Sequence, residues 1–506
     1  MDPSQPLRRI VIVGGGTAGW MTAAACARFL ERGWQITLVE SDAIGTVGVG
    51  EATIPQIRLF NAGLGIDEDA FLAATQGSFK LGIEFVDWDR PGSRYMHAFG
   101  EVGRGLGLLP FHHWWLAAHA AGKAEPLGRY SLNEQAARAL KFDRLGPRHG
   151  LPPLVWAYHF DAGLYAAFLR RFAEARGVVR HEGRIASVEA TGHQVQAVHL
   201  DDGRRIAGDL FVDCSGFRGL LINQTLGSGW HDWSHWLPCD RAVAVPSARV
   251  GNLAGAFTPY TRATARVAGW QWRIPLQHRT GNGHVYASKH LSDDEATAIL
   301  LTNLDGPALA EPRGLQFQAG RRDRVWIGNT VAIGLASGFL EPLESTSIHL
   351  IQSGIARLLA LLPGHASEMP VLAAEANRQA AREMEWIRDF IILHYKATTR
   401  TDTPFWRQMK MMDVPPELAE RMALFAGTGR IRRDHDELFT EVAWAQVMIG
   451  QGVMPTRPHP IVGTVDTPDL AGFLQTLAGG IDASVAALPD HAHFIARHCA
   501  ATAKAA

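Results

Sequence analysis

Cysteine is scarce and scattered: Cys26, Cys214, Cys239 and Cys499 are the only four in 506 residues. They form no Cys-x-x-Cys pair and no metal-ligand spacing, which excludes a disulfide framework and a zinc-type site. They read as reduced core residues of a cytoplasmic protein. Net charge is nearly absent as well. Forty-nine Lys and Arg against 50 Asp and Glu leave −1, so nothing points to a phosphate-tracking surface and nucleic acid is not an expected partner. No apolar run reaches the roughly 18 residues that a membrane span needs. Met1 to Arg9 lacks the apolar stretch of a secretory signal, and neither repeats nor low-complexity linkers interrupt the chain. Aromatics, by contrast, are plentiful. Fifteen tryptophans suit a large core, and they also suit a protein built around flat ligands.

The first strong pattern is local. Arg9 to Val13 is a short apolar strand entering Gly14-Gly15-Gly16-Thr17-Ala18-Gly19, and a helix is predicted from about Ala18 to Arg32. A second strand, Gln35 to Val39, ends at Glu40, about twenty residues beyond the last glycine, as in a dinucleotide-binding βαβ unit. Glycines let the backbone approach a pyrophosphate, the helix start offers free N–H groups, and Glu40 can accept from a ribose hydroxyl.

Later segments supply more of one sheet. A helix is expected over Asp161 to Arg176, followed by strands at Val178 to His181 and Arg184 to Glu189. Gln194 to Leu200 and Arg204 to Ala207 form a hairpin about Asp201-Asp202-Gly203. Leu210 to Asp213, Val325 to Gly328 and Val331 to Leu335 add further strands. From Leu350 onward the period turns helical, with helices expected near 348–362, 369–395, 415–425, 437–449 and 470–488. The fold class is therefore α/β: a Rossmann-like cofactor module with a large helical module. The module spans residues 8–345, with inserted pocket segments near 60–150 and 225–320, and residues 346–506 cover it as part of one compact body.

Three features stand apart from this frame. Trp270 and Trp272 share one face of a strand in Gly269 to Pro275, which by itself reads as core packing. Lys80 falls in an alternating strand with Phe79, Leu81, Ile83 and Phe85 on one face, so it shares the other with Gly82 and Glu84. On pattern alone Lys80 is a solvated lysine. Glu344, in Glu341-Pro342-Leu343-Glu344-Ser345-Thr346-Ser347, reads as a carboxylate at a helix start, where the dipole favours it by roughly 0.3–1 kcal/mol.

Taken in order, GGGTAGW (14–20), VGVGEAT (47–53), FKLGIEF (79–85), AYHFDA (157–162), DCSGFRGLL (213–221), GWQWRIP (269–275) and GLASGFLEPLESTSIHLIQ (334–352) resemble the flavin-dependent tryptophan halogenase family. The resemblance runs from Ile10 to about Cys499. It implies FAD, bound as FADH2 from a separate NAD(P)H flavin reductase, with O2 and chloride or bromide as co-substrates. Gly14, Gly16, Thr17, Ala18, Gly19, Glu40, Val49, Gly50, Glu51, Ala52, Ile185, Asn329 and Leu335 are assigned to the cofactor. Lys80 matches the lysine essential for halogenation, either hydrogen-bonding hypohalous acid or carrying the halogen as a haloamine. Glu344 matches its acidic neighbour, able to orient the oxidant or take the ring proton. Thr346 and Ser347 match positions whose amides hold halide, and Trp270 and Trp272 become a wall between the flavin and substrate compartments.

In members of that family acting on free tryptophan, a tyrosine pair, a glutamate and an asparagine clamp the amino acid. Here His97 and Phe99 resemble part of the indole sandwich, with Phe439 and Trp444 completing the expected pocket. Around Gly427-Thr428 the tyrosine pair is missing. Asp434 falls near the glutamate, and no asparagine follows Val442 and Ala443. Each hydrogen bond to a charged group contributes about 1.5–3 kcal/mol, so indole or an indole derivative is the expected substrate, not free tryptophan. A flavin monooxygenase and a flavin-binding protein without turnover are the alternatives. A monomer or homodimer is expected.

Overall fold

The computed structural model describes residues 6–43, 50–144, 146, 150–250, 257–464 and 467–501. Its cofactor-type sheet has six strands in the order Trp326–Ile327, Thr330–Ala332, Leu210–Asp213, Arg9–Val13, Gln35–Glu40, Val179–Glu182. All neighbours are parallel except the outer hairpin. Both faces are covered, which is why the strands read as continuous apolar runs. Ile10 and Ile12 pack with helix Thr17–Phe29 and its neighbour Ala162–Glu174. Val11 and Val13 point the other way, against Val195 and Val198 of the antiparallel sheet Ile185–Thr191, Gln194–Leu200, Arg205–Ala207.

A second sheet of seven strands runs Arg313–Gln316, Arg241–Ser247, Thr280–Tyr286, Gly269–Pro275, Thr261–Arg266, Gly82–Val86, Arg94–Ala98. Trp270 pairs with Ala265 and Val285, and Trp272 with Ala263 and Gly283. A Cβ at Gly283 would overlap the ring of Trp272, so the strand accepts that indole only because its partner has no side chain.

The single strand expected through Lys80 is two strands in two sheets. Ser78–Lys80 pairs with Ala157–Asp161, whereas Gly82–Val86 pairs with Thr261–Arg266 and Arg94–Ala98. The chain changes sheets at Leu81, whose N–H donates to Pro259 O and whose carbonyl accepts from Phe99 N. Both Lys80 and Glu84 are buried, and Glu84 is met by Arg94, Arg138 and Arg262. The solvated reading of Lys80 is therefore wrong. Apolar alternation continues across a sheet switch that backbone partners alone impose.

The C-terminal helices are Ser347–Ala360, Met369–Lys396, Pro404–Met411, Pro416–Thr428, Glu441–Gly450, Thr467–Ala486 and His491–His498. The helix expected from residue 437 starts at Glu441 because Thr440 caps it, accepting from Ala443 N, while the Glu437 carboxylate is taken by Arg421. The last residues of Met369–Lys396 run through the second core as Phe390-Ile391-Ile392-Leu393-His394-Tyr395, every one buried. Among the described residues no helix is long and apolar enough to cross a membrane.

Candidate active site

A cavity of about 460 Å³ opens over the carboxyl ends of the strands ending at Val13, Glu40 and Asp213, where α/β sheets bind their ligands. Gly14, Gly16, Thr17, Ala18, Glu40, Gly50, Glu51, Ala52, Ile185 and Leu335 line it, as do Trp270, Trp272 and Ser347. Helix Thr17–Phe29 points its start into this space with Gly16 as its cap and no side chain closing it, which leaves first-turn amides for a pyrophosphate. Glu40 is held in place by Arg180 Nε at 2.6 Å. The cradle fits FAD.

Three assigned residues lie outside the cavity lining. Gly19 lies outside the cavity lining, and its missing Cβ lets the helix sit on the carbonyl of Gly14. Asn329 is fully buried and spends its amide on Val195 N, Val195 O and Asp209 O, joining two sheets instead of meeting a ligand. Thr346 is buried behind Ser347, outside the lining, with its hydroxyl unpartnered among the described residues. Val49 lies outside the described residues.

Lys80 sits at the end of its short strand with no exposed surface. Its Nζ donates to Thr53 O at 2.9 Å and Ser345 Oγ at 2.8 Å and stands 5.2 Å from the centre of the Phe99 ring. Burial lowers the amine to about 7, against the opposing attraction of Glu344. Ser345 follows the short turn Pro342–Glu344 in the left-handed region at φ 60°, a backbone state uncommon for non-glycine residues. Because Ser345 also lines the flavin cavity, it links that cavity to the buried amine of Lys80.

Glu344 does stand just before a helix start, as expected, but the dipole is not its main partner. It is 1% exposed, with His97 Nδ1 at 2.9 Å from Oε2 and His394 Nε2 at 2.7 Å from Oε1. Burial alone would raise its carboxyl, but the two imidazoles hold it below the usual carboxylate range. The pocket residues gather around this acid. Phe390 stacks on Phe439 with centroids 3.8 Å apart and meets Trp444 edge-on at 4.8 Å, and His97 leans on both phenylalanines. Trp444 is backed by Arg421, whose guanidinium lies 4.2 Å from its ring. Asp434 faces outward and accepts from Arg382 at 2.9 Å. Residues not expected from the chain are His394, Ser345, Thr53, Phe390 and Glu341. The His-Tyr pair ending an apolar helical run was the available signal for His394.

A Rossmann-like cavity that fits FAD, with a buried lysine and a buried carboxylate beside it, defines the class as a flavoenzyme. A family model for tryptophan halogenase matches residues 9–467. Tryptophan 6-halogenase SttH of Streptomyces toxytricini is 36% identical over 497 residues, spanning 90% of this chain and 92% of that one. Among solved structures, Xcc4156, a flavin-dependent halogenase from Xanthomonas campestris, superimposes with a TM-score of 0.95 at 52% identity, covering 99% of this chain and 100% of that one. BrvH, a flavin-dependent halogenase from Brevundimonas sp. BAL3, gives 0.92 at 49% identity over 98% and 99%. The chain belongs to the tryptophan halogenase family. It is a flavin-dependent aryl halogenase, using FADH2 from a separate reductase together with halide and O2.

Proposed function

We propose that this halogenase acts on indole or an indole derivative, not on free tryptophan, through Lys80 and Glu344, with bromide the readier halide because it is easier to oxidise. Bound reduced FAD, with O2 and halide, supplies hypohalous acid. The amides at the start of helix Ser347–Ala360 are the candidate halide cradle, since first-turn N–H groups attract anions without a full charge. Trp270 and Trp272 keep water and substrate from the flavin side. Lys80, anchored by two acceptors, has its remaining hydrogen for the oxidant, which raises the electrophilicity of the halogen. Glu344, kept ionised, favours the ammonium and takes the proton that the ring loses on substitution.

One observation carries the reading: Lys80 Nζ bonds Ser345 Oγ at 2.8 Å, and Ser345 lines the flavin cavity. The substrate preference is supported by what stands at the clamp positions. Gly427 and Thr428 end helix Pro416–Thr428, and Asp434 is occupied by Arg382. The test is product mass spectrometry with purified protein, FAD, a generic reductase, NADH and O2, comparing indole with tryptophan and chloride with bromide. A halogen isotope pattern on indole that vanishes in Lys80→Ala is expected. Efficient turnover of free tryptophan at low-micromolar KM overturns the preference, and oxygen insertion independent of halide overturns the chemistry.

A further inference from the structure

Three residues before Glu344, a second acid is fully buried and has no part in the chemistry above. Glu341 Oε2 accepts from Trp270 Nε1 at 2.9 Å and from Tyr395 Oη at 2.6 Å, and Glu341 has no exposed surface. Its other oxygen, Oε1, is buried without a partner among the described residues. Burial raises this carboxyl to about 7. Its neighbours Leu340 and Pro342 line the flavin cavity, as does Trp270. Tyr395 follows His394, which contacts Glu344. One carboxyl oxygen therefore joins strand Gly269–Pro275, the segment carrying Glu344 and Ser345, and the end of helix Met369–Lys396.

We infer that Glu341 is a positioning residue that pins the Trp270 indole to the segment bearing Glu344 and Ser345, so that the wall between the compartments stays closed while oxidant passes to Lys80. This rests on the proposed role of Trp270 and Trp272 as that wall. Two donors converge on a single oxygen, and buried N–H and O–H groups are costly to leave unpaired. Losing that oxygen frees both the indole and the tyrosine, and the gap opens beside the flavin. Because the donors need only one acceptor oxygen, an amide keeps both bonds, and any cost of its NH2 at the unpartnered Oε1 position falls on stability and not on the anchor. The anchor is thus an acceptor, and its charge is dispensable.

The experiment compares Glu341→Leu with Glu341→Gln in the full chain. Two quantities are read. One is halogenated indole formed per O2 consumed, with a β-diketone in solution to trap escaping hypohalous acid. The other needs no flavin: solvent exchange of the Trp270 indole N–H in 15N-tryptophan-labelled apoprotein, its resonance assigned with Trp270→Phe. For Glu341→Leu the expectation is at least tenfold faster exchange, a threefold or larger fall in product per O2, and a matching rise in trapped halogen. Glu341→Gln should remain within twofold of the parent in all three.

Unchanged exchange in folded Glu341→Leu overturns the anchor. Faster exchange with unchanged coupling overturns its control of the wall, and a Gln variant as leaky as the Leu variant overturns the acceptor argument. If Glu341→Leu does not fold, Trp270→Phe and Tyr395→Phe each remove one donor. Leakage from Trp270→Phe at an unchanged melting midpoint supports the inference, and none overturns it. A parent enzyme that halogenates nothing defeats the proposed function instead, while the exchange measurement still decides whether the anchor exists.

Discussion

Lys80 donates to Ser345 Oγ across 2.8 Å, joining positions 265 apart in the chain at the edge of the flavin cavity. Neither group is free to move independently. The amine is buried at the end of a strand, and the hydroxyl is set by a left-handed backbone turn. A buried lysine in this position is costly to the fold and its proposed use is chemical, which makes it the place to separate stability from activity.

Replacing Lys80 by Met should do so. The side chain is similar in length, and the buried amine no longer has to be desolvated. The amine's fall from 10.5 to about 7 corresponds to a desolvation cost on the order of a few kcal/mol. Product formation is expected to fall by about 10²–10⁴-fold, the usual range for a lost proton-donating or polarising group. The melting midpoint should rise and FAD affinity should stay within about twofold, as for other functional residues held at a cost to the fold. Calorimetry and flavin titration beside the halogenation assay check all three. A drop in both stability and activity would instead make Lys80 a structural residue.

The same shift fixes a sign for pH. Because the folded-state value of Lys80 is depressed, its cost is present in full below pH 7. It is relieved as pH rises from about 7 toward 10.5, where only the unfolded chain still holds the proton. The stability difference between the parent and Lys80→Met should therefore be larger at pH 6.5 than at pH 9. In catalysis the ammonium is the proposed hydrogen-bond donor, so single-turnover product formation should decline as pH rises through about 7. A rise through the same midpoint would favour the neutral amine and a haloamine.

Glu344→Gln keeps the shape and removes the charge. Its two oxygens now face His97 and His394 at 2.9 and 2.7 Å, and an amide can satisfy one of them as acceptor but not both. The expected result is a kcat lower by about 10²-fold with KM for the aromatic changed by less than about threefold, since the group acts on charge that develops after binding. Steady-state kinetics on indole with saturating halide measures this. An equal change in KM alone would move Glu344 from chemistry to substrate binding.

How much of this was readable before the fold was known differs by element. The βαβ unit from Arg9 to Glu40 was legible because glycine spacing, strand length and the terminal acid are all local. The long helices were legible from their period, whereas Pro404–Met411 and His491–His498, eight residues each, are too short to show one. Lys80 and Glu344 were reached through the resemblance; pattern alone misread the exposure of Lys80 and, for Glu344, gave the helix start but not the partners. The alternation through Phe79 and Phe85 hides the sheet switch at Leu81, and nothing near Glu344 announces imidazoles from residues 97 and 394. Asn329 was misassigned for the same reason: its partners, Val195 and Asp209, are more than a hundred residues away.

The packing of Trp272 at the flavin cavity offers a test that leaves Lys80 and Glu344 untouched. Gly283 pairs with Trp272 in the seven-stranded sheet, and a Cβ on it would overlap the indole. Backbone on both sides is locked into strand pairing with Ala244 and Trp272, so the ring must give way toward the cavity it lines. Gly283→Ala should cost about 1–3 kcal/mol, the usual range for an overpacked core, and weaken FAD binding by about threefold or more. Adding Trp272→Phe should return part of that stability, because the smaller ring leaves room for the methyl group. The two changes would then be coupled by about 0.5–3 kcal/mol in a double-mutant cycle. Denaturant unfolding and flavin fluorescence titration of the two single variants and the double variant measure this. Purely additive effects would mean that Trp272 does not fill the space above Gly283.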